Sequence, residues 1–254
     1  MSQQIKLHWA HSKPNFGDCL SPLICELVSG KRIIYSKIPN CDLIAAGSLL
    51  GRLKERPWSH KVNVWGTGSI IESKPHRSRH IYHAIRGKHS AAQIPDAQIT
   101  TFGDPGLLAD QLINSSQVAK RHEIGIVPHY KDRYHPSTIR LQNTLRQARV
   151  IDVFQSPKEV ITQIAQCHTI LSSSLHGLIT ADALGIPNQR IQISEEIRGG
   201  DWKFNDYYST FDISPSKFLA KELINDDLNN SFDQYARPNI ELIKEKLHRS
   251  FPDL

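Results

Sequence analysis

A histidine stands among hydroxyls in the stretch "SSSLHGLITADALGIP", residues 172–187. The apolar spacing predicts a helix from Leu175, and Ser173 or Ser174 can cap its first turn. A capped helix start still offers free backbone N–H groups and the positive end of the helix dipole, which together bind anions. Histidine is the side chain used most often for proton transfer, so His176 can give a proton to an anion bound there. A partly buried structural histidine fits the same spacing, and periodicity alone does not decide between the two.

A second candidate loop, "NFGDCLSP" at residues 15–22, follows the first predicted strand. Gly17 permits a tight turn there. Asp18 or Ser21 can cap the next helix, and Pro22 suits the first helical position. A strand–turn–helix connection that binds no ligand explains the stretch equally well.

Two further loops carry small or basic residues. "WGTGSI" at 65–70 is a small-residue turn in which backbone near Gly68 can approach a ligand, although it is not a G-x-G-x-x-G fingerprint. Residues 74–90 hold five Lys/Arg and four His without an acid. Within them Arg86 ends an apolar strand, which predicts a place at the cleft edge and bidentate binding of a phosphate or carboxylate. Aromatic residues are sparse in this stretch and no nucleic-acid motif occurs, so we expect no nucleic-acid partner.

The stretch "ISEEIRGGDWKFNDYY", residues 193–208, follows the last strong strand and is predicted to line the cleft. Its aromatic rings and carboxylates suit a sugar, and Glu195 is the candidate general base. A salt-bridged surface turn is the alternative. The residues singled out in this loop are Glu195, Glu196, Arg198, Trp202, Lys203 and Tyr207.

Composition limits the class of protein and its partners. The chain has 254 residues, a net charge of +6 and 39% hydrophobic residues, which describes an ordinary globular protein that favours anionic partners. No C-x-x-C pair and no D-x-D motif occurs, so we expect neither disulfides, nor a metal, nor a cofactor. The absence of an apolar signal core or long apolar run predicts a cytoplasmic protein. Attachment to the cytoplasmic membrane face through basic charge stays open.

Strand-like and helix-like segments alternate in two series, which predicts right-handed βαβ units and parallel sheets. The polar connector 114–123 suggests an α/β fold of two Rossmann-like halves over a cleft, residues 1–116 and 117–254. One continuous sheet is the alternative. The first series predicts strands at 5–10, 32–36, 43–46, 62–66, 80–85 and 98–102, and helices at 22–29 and 106–113. The second predicts strands at 124–128, 150–154, 169–172 and 189–193, helices at 136–149, 157–167 and 175–184, and a last helix at 240–249 that can pack on either half.

Taken together, the loops resemble those of the polysaccharide pyruvyl transferases. The order and spacing of the matching pieces extend over residues 15–210. These pieces are "NFGDCLSP", "GTGSI", "AIRG", "FGDPGLLA" (102–109), "IGIVPHYKD" (124–132) and above all "SSSLHGLITADALGIP".

The resemblance implies a fold similar to GT-B glycosyltransferases, with residues 117–254 as the donor-binding half. It also implies phosphoenolpyruvate as donor and two hydroxyls of one sugar as acceptor. The products would be a cyclic pyruvate ketal and phosphate. The sugar would be lipid-linked or nucleotide-linked, and a homo-oligomer stays open. His176 would protonate the donor, with Glu195 as the possible base. The residues expected to bind substrate are Arg86, Ser173, Ser174, Leu175, Asn15, Gly17, Asp18, Gly68, His129, Lys131 and Lys203.

Two other functions stay open at the level of sequence. The same fold could belong to a glycosyltransferase that uses a nucleotide sugar. It could also belong to a protein that binds a glycan or an anion without catalysis.

Overall fold

The computed structural model describes residues 4–11, 15–214, 216–223 and 232–254. Strands and helices alternate along the chain. The strands are β1 (Gln4–His8), β2 (Arg32–Tyr35), β3 (Leu43–Ile44), β4 (Asn63–Trp65), β5 (Ile81–Ala84), β6 (His122–Val127), β7 (Ala148–Val150), β8 (Cys167–Ser172), β9 (Asn188–Gln192) and β10 (Phe218–Leu219). The α-helices are α1 (Phe16–Ser29), α2 (Lys88–Ala91), α3 (Pro136–Thr144), α4 (Pro157–Ala165), α5 (Leu175–Ala183), α6 (Trp202–Tyr208) and α7 (Ile240–Arg249), and the longest 3-10 helix is Pro105–Leu112.

The strands form two separate five-stranded sheets, in the orders β2-β1-β3-β4-β5 and β10-β9-β8-β6-β7. Every pairing between these strands is parallel. The predicted α/β class with parallel sheets is therefore confirmed, and the alternative of one continuous sheet is wrong. We call the part around the first sheet the first half and the part around the second sheet the second half.

Parallel register brings the carboxyl ends of neighbouring strands to one edge, where ligands bind in open α/β sheets. In the second sheet Val127 is the partner of Ser172, so the chain that follows β6 leaves beside the start of α5. In the first sheet His8 is the partner of Ile44, so the chains after β1 and β3 also leave together. These edges supply the loops of the site described below.

The two halves share one hydrophobic core. Its buried cluster combines Leu7 and Trp65 of the first half with Ile170 and Leu178 of the second. Helix α1 begins with a hydrogen bond from its first backbone N–H to Val153 O of the second half, 2.9 Å away. Close packing of this kind fixes the loops of both halves relative to each other.

The last helix, α7, contacts both halves. Trp65 Nε1 donates to Leu247 O at 3.0 Å, which ties α7 to the first sheet. Lys244 Nζ donates to Ala183 O at 2.8 Å and lies 3.1 Å from Asp110 Oδ2, which ties it to the end of α5 and to the 3-10 helix. Within the described ranges no helix has both the length and the hydropathy of a membrane span.

Helix α1 starts earlier than predicted. Asn15 is its N-cap, with a side chain that accepts a hydrogen bond from Asp18 N, and Pro22 lies inside the helix. The prediction that Asp18 or Ser21 caps a helix beginning at Pro22 is wrong. Asn15 is an equally good cap and permits two additional turns.

Other element boundaries also need correction. The helix predicted at 136–149 ends at Thr144, and Gln147 in the left-handed region (φ 47°) leads into β7, so the strand predicted at 150–154 is displaced upstream. The stretch 98–102 forms a single bridge from Phe102 to Ile85 rather than a strand. The helix predicted at 106–113 is a 3-10 helix. Helix α6 and strand β10 were not predicted.

Candidate active site

A cavity of about 460 Å³ opens where loops of the two halves meet. The first half contributes the loops after β1 and β3 and the 65–71 turn, and the second half contributes the loops after β6, β7 and β8. The volume lies in the range of small-molecule sites. Its polar lining includes Asn15, Asp18, Ser48, Arg52, His129, Lys131, Ser174, His176, Arg198 and Lys203.

The charge on this lining is strongly unbalanced. Four permanent cations, Arg52, Lys131, Arg198 and Lys203, line the cavity together with one carboxylate, Asp18. Lys203 is buried, whereas the other three side chains are exposed. Opposite charges are required to hold a multiply charged anion away from bulk water. The arrangement fits a small ligand with more than one negative charge.

The N-terminus of α5 points its first turn at the cavity, since Ser174, Leu175 and His176 all line it. Ser174 occupies the N-cap position without a side-chain capping bond. Ser172 Oγ accepts a hydrogen bond from the N–H of Ser174 itself at 3.0 Å, which holds the turn that precedes the helix. Ser174 is therefore the N-cap residue, as one of the two predicted alternatives, but its side chain does not form the expected capping bond.

Ser173 does not line the cavity. Its side chain is fully buried. Its Oγ donates to Asp132 Oδ2 at 2.9 Å and accepts from His129 N at 2.9 Å. The hydroxyl therefore holds the loop after β6 against the end of β8 instead of facing a ligand.

His176 reaches the cavity through a space that Gly17 leaves open. A Cβ at Gly17 would overlap His176 Nδ1 and the adjoining ring carbons. The Nε2 atom of His176 is buried and has no hydrogen-bond partner within the described part of the protein. An unpaired buried nitrogen of this kind is costly unless a ligand completes it. Gly17 thus lies behind the histidine rather than in the cavity lining, where it was expected.

Asp18 is the carboxylate that lines the cavity together with His176. Asn15 Nδ2 donates to Asp18 Oδ2 at 2.7 Å, so the helix cap also orients the carboxylate. Burial raises the pKa of Asp18, and the positive charge of His176 opposes that rise, followed by smaller effects of Arg52 and Lys203. Asp18 can therefore stabilise a protonated imidazole at position 176.

Two basic groups of the cavity, Lys203 and His129, have pKa values below their ordinary range. Burial, together with the charges of Arg86 and Arg190, lowers the pKa of Lys203 to about 8. Burial and the nearby lysines 203 and 131 lower the pKa of His129 to about 4. At neutral pH Lys203 is mostly charged and His129 is neutral. Lys131 Nζ donates to Glu196 O at 3.1 Å, which links the loop after β6 to the 193–208 segment.

Arg86 is not at the cleft edge, and this part of the prediction is wrong. Its side chain is 0% exposed and does not line the cavity. Arg86 Nε lies 2.8 Å from Asp206 Oδ2, and the two terminal nitrogens donate to Ser48 Oγ and Ser69 O, each at 2.6 Å. Gly68 is likewise absent from the lining. It packs against the guanidinium, since a Cβ there would lie 2.5 Å from Arg86 Cζ.

Glu195 is also placed elsewhere. It is exposed, bonds to Gln192 and lines a separate cavity of about 250 Å³ with Arg190, Asp201 and Lys217. The structure therefore does not bring the predicted base to His176. Of the residues singled out in 193–208, Arg198 and Lys203 line the main cavity, whereas the glutamates, Trp202 and Tyr207 do not.

Sequence reasoning missed Ser48 and Arg52. They follow β3 in the stretch "AAGSLLGR", residues 45–52. Small residues directly after a buried strand were the available signal, because backbone and short side chains can approach a ligand there.

No group of three or more His, Cys, Asp or Glu side chains suited to a metal ion occurs in the described ranges. Independence of metal stays a prediction. The four cysteines are free, as expected from their spacing.

Comparison with known proteins gives one family model and two relatives. The family model for polysaccharide pyruvyl transferase matches residues 5–188. The chain is 25% identical over 248 residues to "Uncharacterized protein L143" of Acanthamoeba polyphaga mimivirus, which covers 94% of this chain and 86% of that protein. It is 26% identical over 211 residues to "Succinoglycan biosynthesis protein ExoV" of Rhizobium meliloti (strain 1021), which covers 82% of this chain and 65% of that protein.

Proposed function

This chain belongs to the polysaccharide pyruvyl transferase family, and we propose that it transfers pyruvate from phosphoenolpyruvate to two hydroxyls of a saccharide. The relative from Rhizobium meliloti bears the name of a succinoglycan biosynthesis protein, which supports a role in polysaccharide synthesis. The acceptor would be a sugar linked to a lipid or a nucleotide. We place the reaction in the cytoplasm or at the cytoplasmic face of the membrane.

The observation that carries the proposal is the charge of the cavity around His176. Phosphoenolpyruvate bears a phosphate and a carboxylate, and four cations face one carboxylate on the lining. Lys203 lies deepest among the cations, at 8% exposure, and would bind one anionic group as a point charge. Ser174 and the first turn of α5 would donate hydrogen bonds to the same ligand.

His176 would supply the proton that the reaction needs. Protonation of the enol methylene gives an oxocarbenium-like carbon, which one acceptor hydroxyl attacks. The second hydroxyl then displaces phosphate and closes the ketal. One acceptor proton restores His176, the other leaves with phosphate, and no redox partner is needed. Asp18 would stabilise the charged imidazole before the transfer.

The finer description of the fold is also part of the proposal. Each parallel sheet with its helices would be one Rossmann-like half, in the GT-B-like arrangement expected for the family. The boundary would fall in the polar connector near residue 117, between the 3-10 helix Ser115–Gln117 and β6.

The test is a paired binding and turnover experiment. Phosphoenolpyruvate and UDP-sugars are offered in parallel, and only phosphoenolpyruvate should raise the melting temperature. Phosphate release with candidate saccharides, with and without EDTA, then measures turnover and its independence of metal. His176→Gln should lower turnover ~10²–10⁴-fold while donor affinity and melting temperature stay near those of the wild type.

The alternatives give different outcomes. Stabilisation by a UDP-sugar instead of phosphoenolpyruvate would favour a glycosyltransferase. Binding of phosphoenolpyruvate without phosphate release from any acceptor would favour a non-catalytic anion-binding protein. A merely structural His176 would lower the melting temperature and leave turnover per folded molecule intact.

A further inference from the structure

A fully buried ion pair lies behind the wall of the cavity. Arg86 and Asp206 are both 0% exposed, and Arg86 Nε lies 2.8 Å from Asp206 Oδ2. The carboxylate also accepts from Ser90 N and Ser90 Oγ, each at 2.7 Å. A buried pair loses the hydration of two charges and persists only when its remaining donors and acceptors are satisfied. Here each nitrogen of the Arg86 guanidinium and each oxygen of the Asp206 carboxylate has at least one partner in the protein.

Two glycines make room for the pair. A Cβ at Gly68 would lie 2.5 Å from Arg86 Cζ and 2.6 Å from Asp206 Oδ2. A Cβ at Gly87 would overlap the backbone carbonyl of Asp206 itself. Neither glycine has a positive φ, so close approach, rather than backbone conformation, is the reason for glycine at these positions.

The pair joins the first half to the helix that carries Lys203. Arg86 follows β5 of the first sheet, whereas Asp206 is on α6, three residues after Lys203. Residues three apart lie on the same side of a helix. A helix of seven residues has little stability of its own, so its position depends on tertiary contacts. Because both residues are on this helix, the contact that fixes Asp206 also fixes the position of Lys203.

The same guanidinium contacts two other parts of the wall. It donates to Ser48 Oγ, and Ser48 lines the cavity. It also donates to Ser69 O, directly before the cavity residue Ile70. All of these contacts are made from behind the lining.

We propose that Arg86 and Asp206 are positioning residues, which fix α6 so that the ammonium group of Lys203 stays in the donor cavity, and that Arg86 does not touch the donor. This inference rests on the proposed function for the identity of the ligand. Burial, followed by the charge of Arg86, lowers the pKa of Lys203, so the two cations interact electrostatically.

The first measurement is the affinity for phosphoenolpyruvate by calorimetry. Asp206→Asn leaves Arg86 charged and unpaired, and should weaken donor binding roughly tenfold or more. The double variant Arg86→Met/Asp206→Asn removes both charges and keeps an acceptor for Ser90 N, and it should recover most of the affinity. In a Lys203→Met background, Asp206→Asn should have little further effect, because the residue it positions is gone.

A direct contact between Arg86 and the donor would give the opposite pattern. The double variant would then bind no better than Asp206→Asn, and the effects of Asp206→Asn and Lys203→Met would add. Circular dichroism and melting temperatures of every variant separate these effects from unfolding. Either result in folded protein overturns the inference.

A second measurement does not depend on the donor. Reductive ¹³C-methylation reports the titration of each lysine by NMR, and Lys203 should titrate near its folded pKa of about 8 in the wild type. In Asp206→Asn, a released Lys203 should titrate near ~10.4, the value of a free lysine. A titration that stays at 8 or moves lower would show that Lys203 has not moved, and would overturn the inference. A wild type without affinity for phosphoenolpyruvate would refute the proposed function, while this titration still decides the positioning role.

Discussion

At the scale of single residues, the position of the His176 ring depends on Gly17. The imidazole occupies the volume of an absent Cβ, so Gly17→Ala should push the ring out of place. Alanine favours a helix, so the variant should fold, while turnover falls by roughly 10²-fold because the reacting group is displaced. Gly51→Ala is the control, because Gly51 lines the cavity and a Cβ there has open space. Equal phosphate release by the two variants would contradict the assignment.

The charge of Lys203 should make donor affinity depend on pH. Burial places its pKa at about 8, so the cation is lost as pH rises through that value. The dissociation constant for phosphoenolpyruvate should be level just below pH 8 and should increase above it by up to ~tenfold per pH unit. Lys203→Arg stays charged throughout and should remove the increase between pH 8 and 10. The measurement is calorimetric titration across that range, and a wild-type profile that stays level to pH 10 would contradict it.

The sequence predicted which loops surround the cavity better than which side chains enter it. His176, Ser174 and Lys203 line it as expected. Arg86 closes β5 as expected, but its side chain turns into the interior toward Asp206, a partner 120 residues away in sequence. Such a partner leaves no local signal. The prediction that Glu195 lines the main cavity failed for a related reason. The direction of a side chain after a strand depends on the path of the loop, which the sequence does not show.

At the scale of elements, α7 packs into the shared hydrophobic cluster through Leu247. This side chain is 0% exposed, whereas Leu242 on the same helix is 47% exposed. Leu247→Ala should lower the free energy of unfolding by about 2–5 kcal/mol, because it leaves a cavity against Gly103 and the core. Leu242→Ala should change it by less than about 0.5 kcal/mol. Urea denaturation of both variants tests the difference, and a similar loss in both would contradict the packing of α7.

Elements with strong local signals were predicted well and those that depend on tertiary contacts were not. Strand β8 and helix α5 combine continuous apolar runs with clear ends, and both lie within a few residues of their predicted bounds. Helix α6 reads "WKFNDYY", which has no strong helical preference. Its buried face includes Lys203 and Asp206, two charged residues that a hydrophobic pattern assigns to solvent. The partner of Asp206 is Arg86, which follows the last strand of the other sheet.

At the scale of the whole molecule, the two halves depend on each other. They share one hydrophobic cluster, the ion pair between Arg86 and Asp206, and the contacts of α7 to both. Large apolar contact between halves makes independent motion or folding unfavourable. The cavity is made of loops from both, so its geometry exists only while they remain packed.

The halves should therefore unfold together, although the sequence divides into two series near residue 117. In urea, tryptophan fluorescence and far-ultraviolet circular dichroism should give one coincident transition. Fluorescence reports largely on the first half, which holds three of the four tryptophans, while circular dichroism reports on both. Separate chains of residues 1–116 and 117–254 would each expose part of the shared core and should show no cooperative unfolding. Two resolved transitions, or a cooperative transition in either separate chain, would show that the halves are independent folding units.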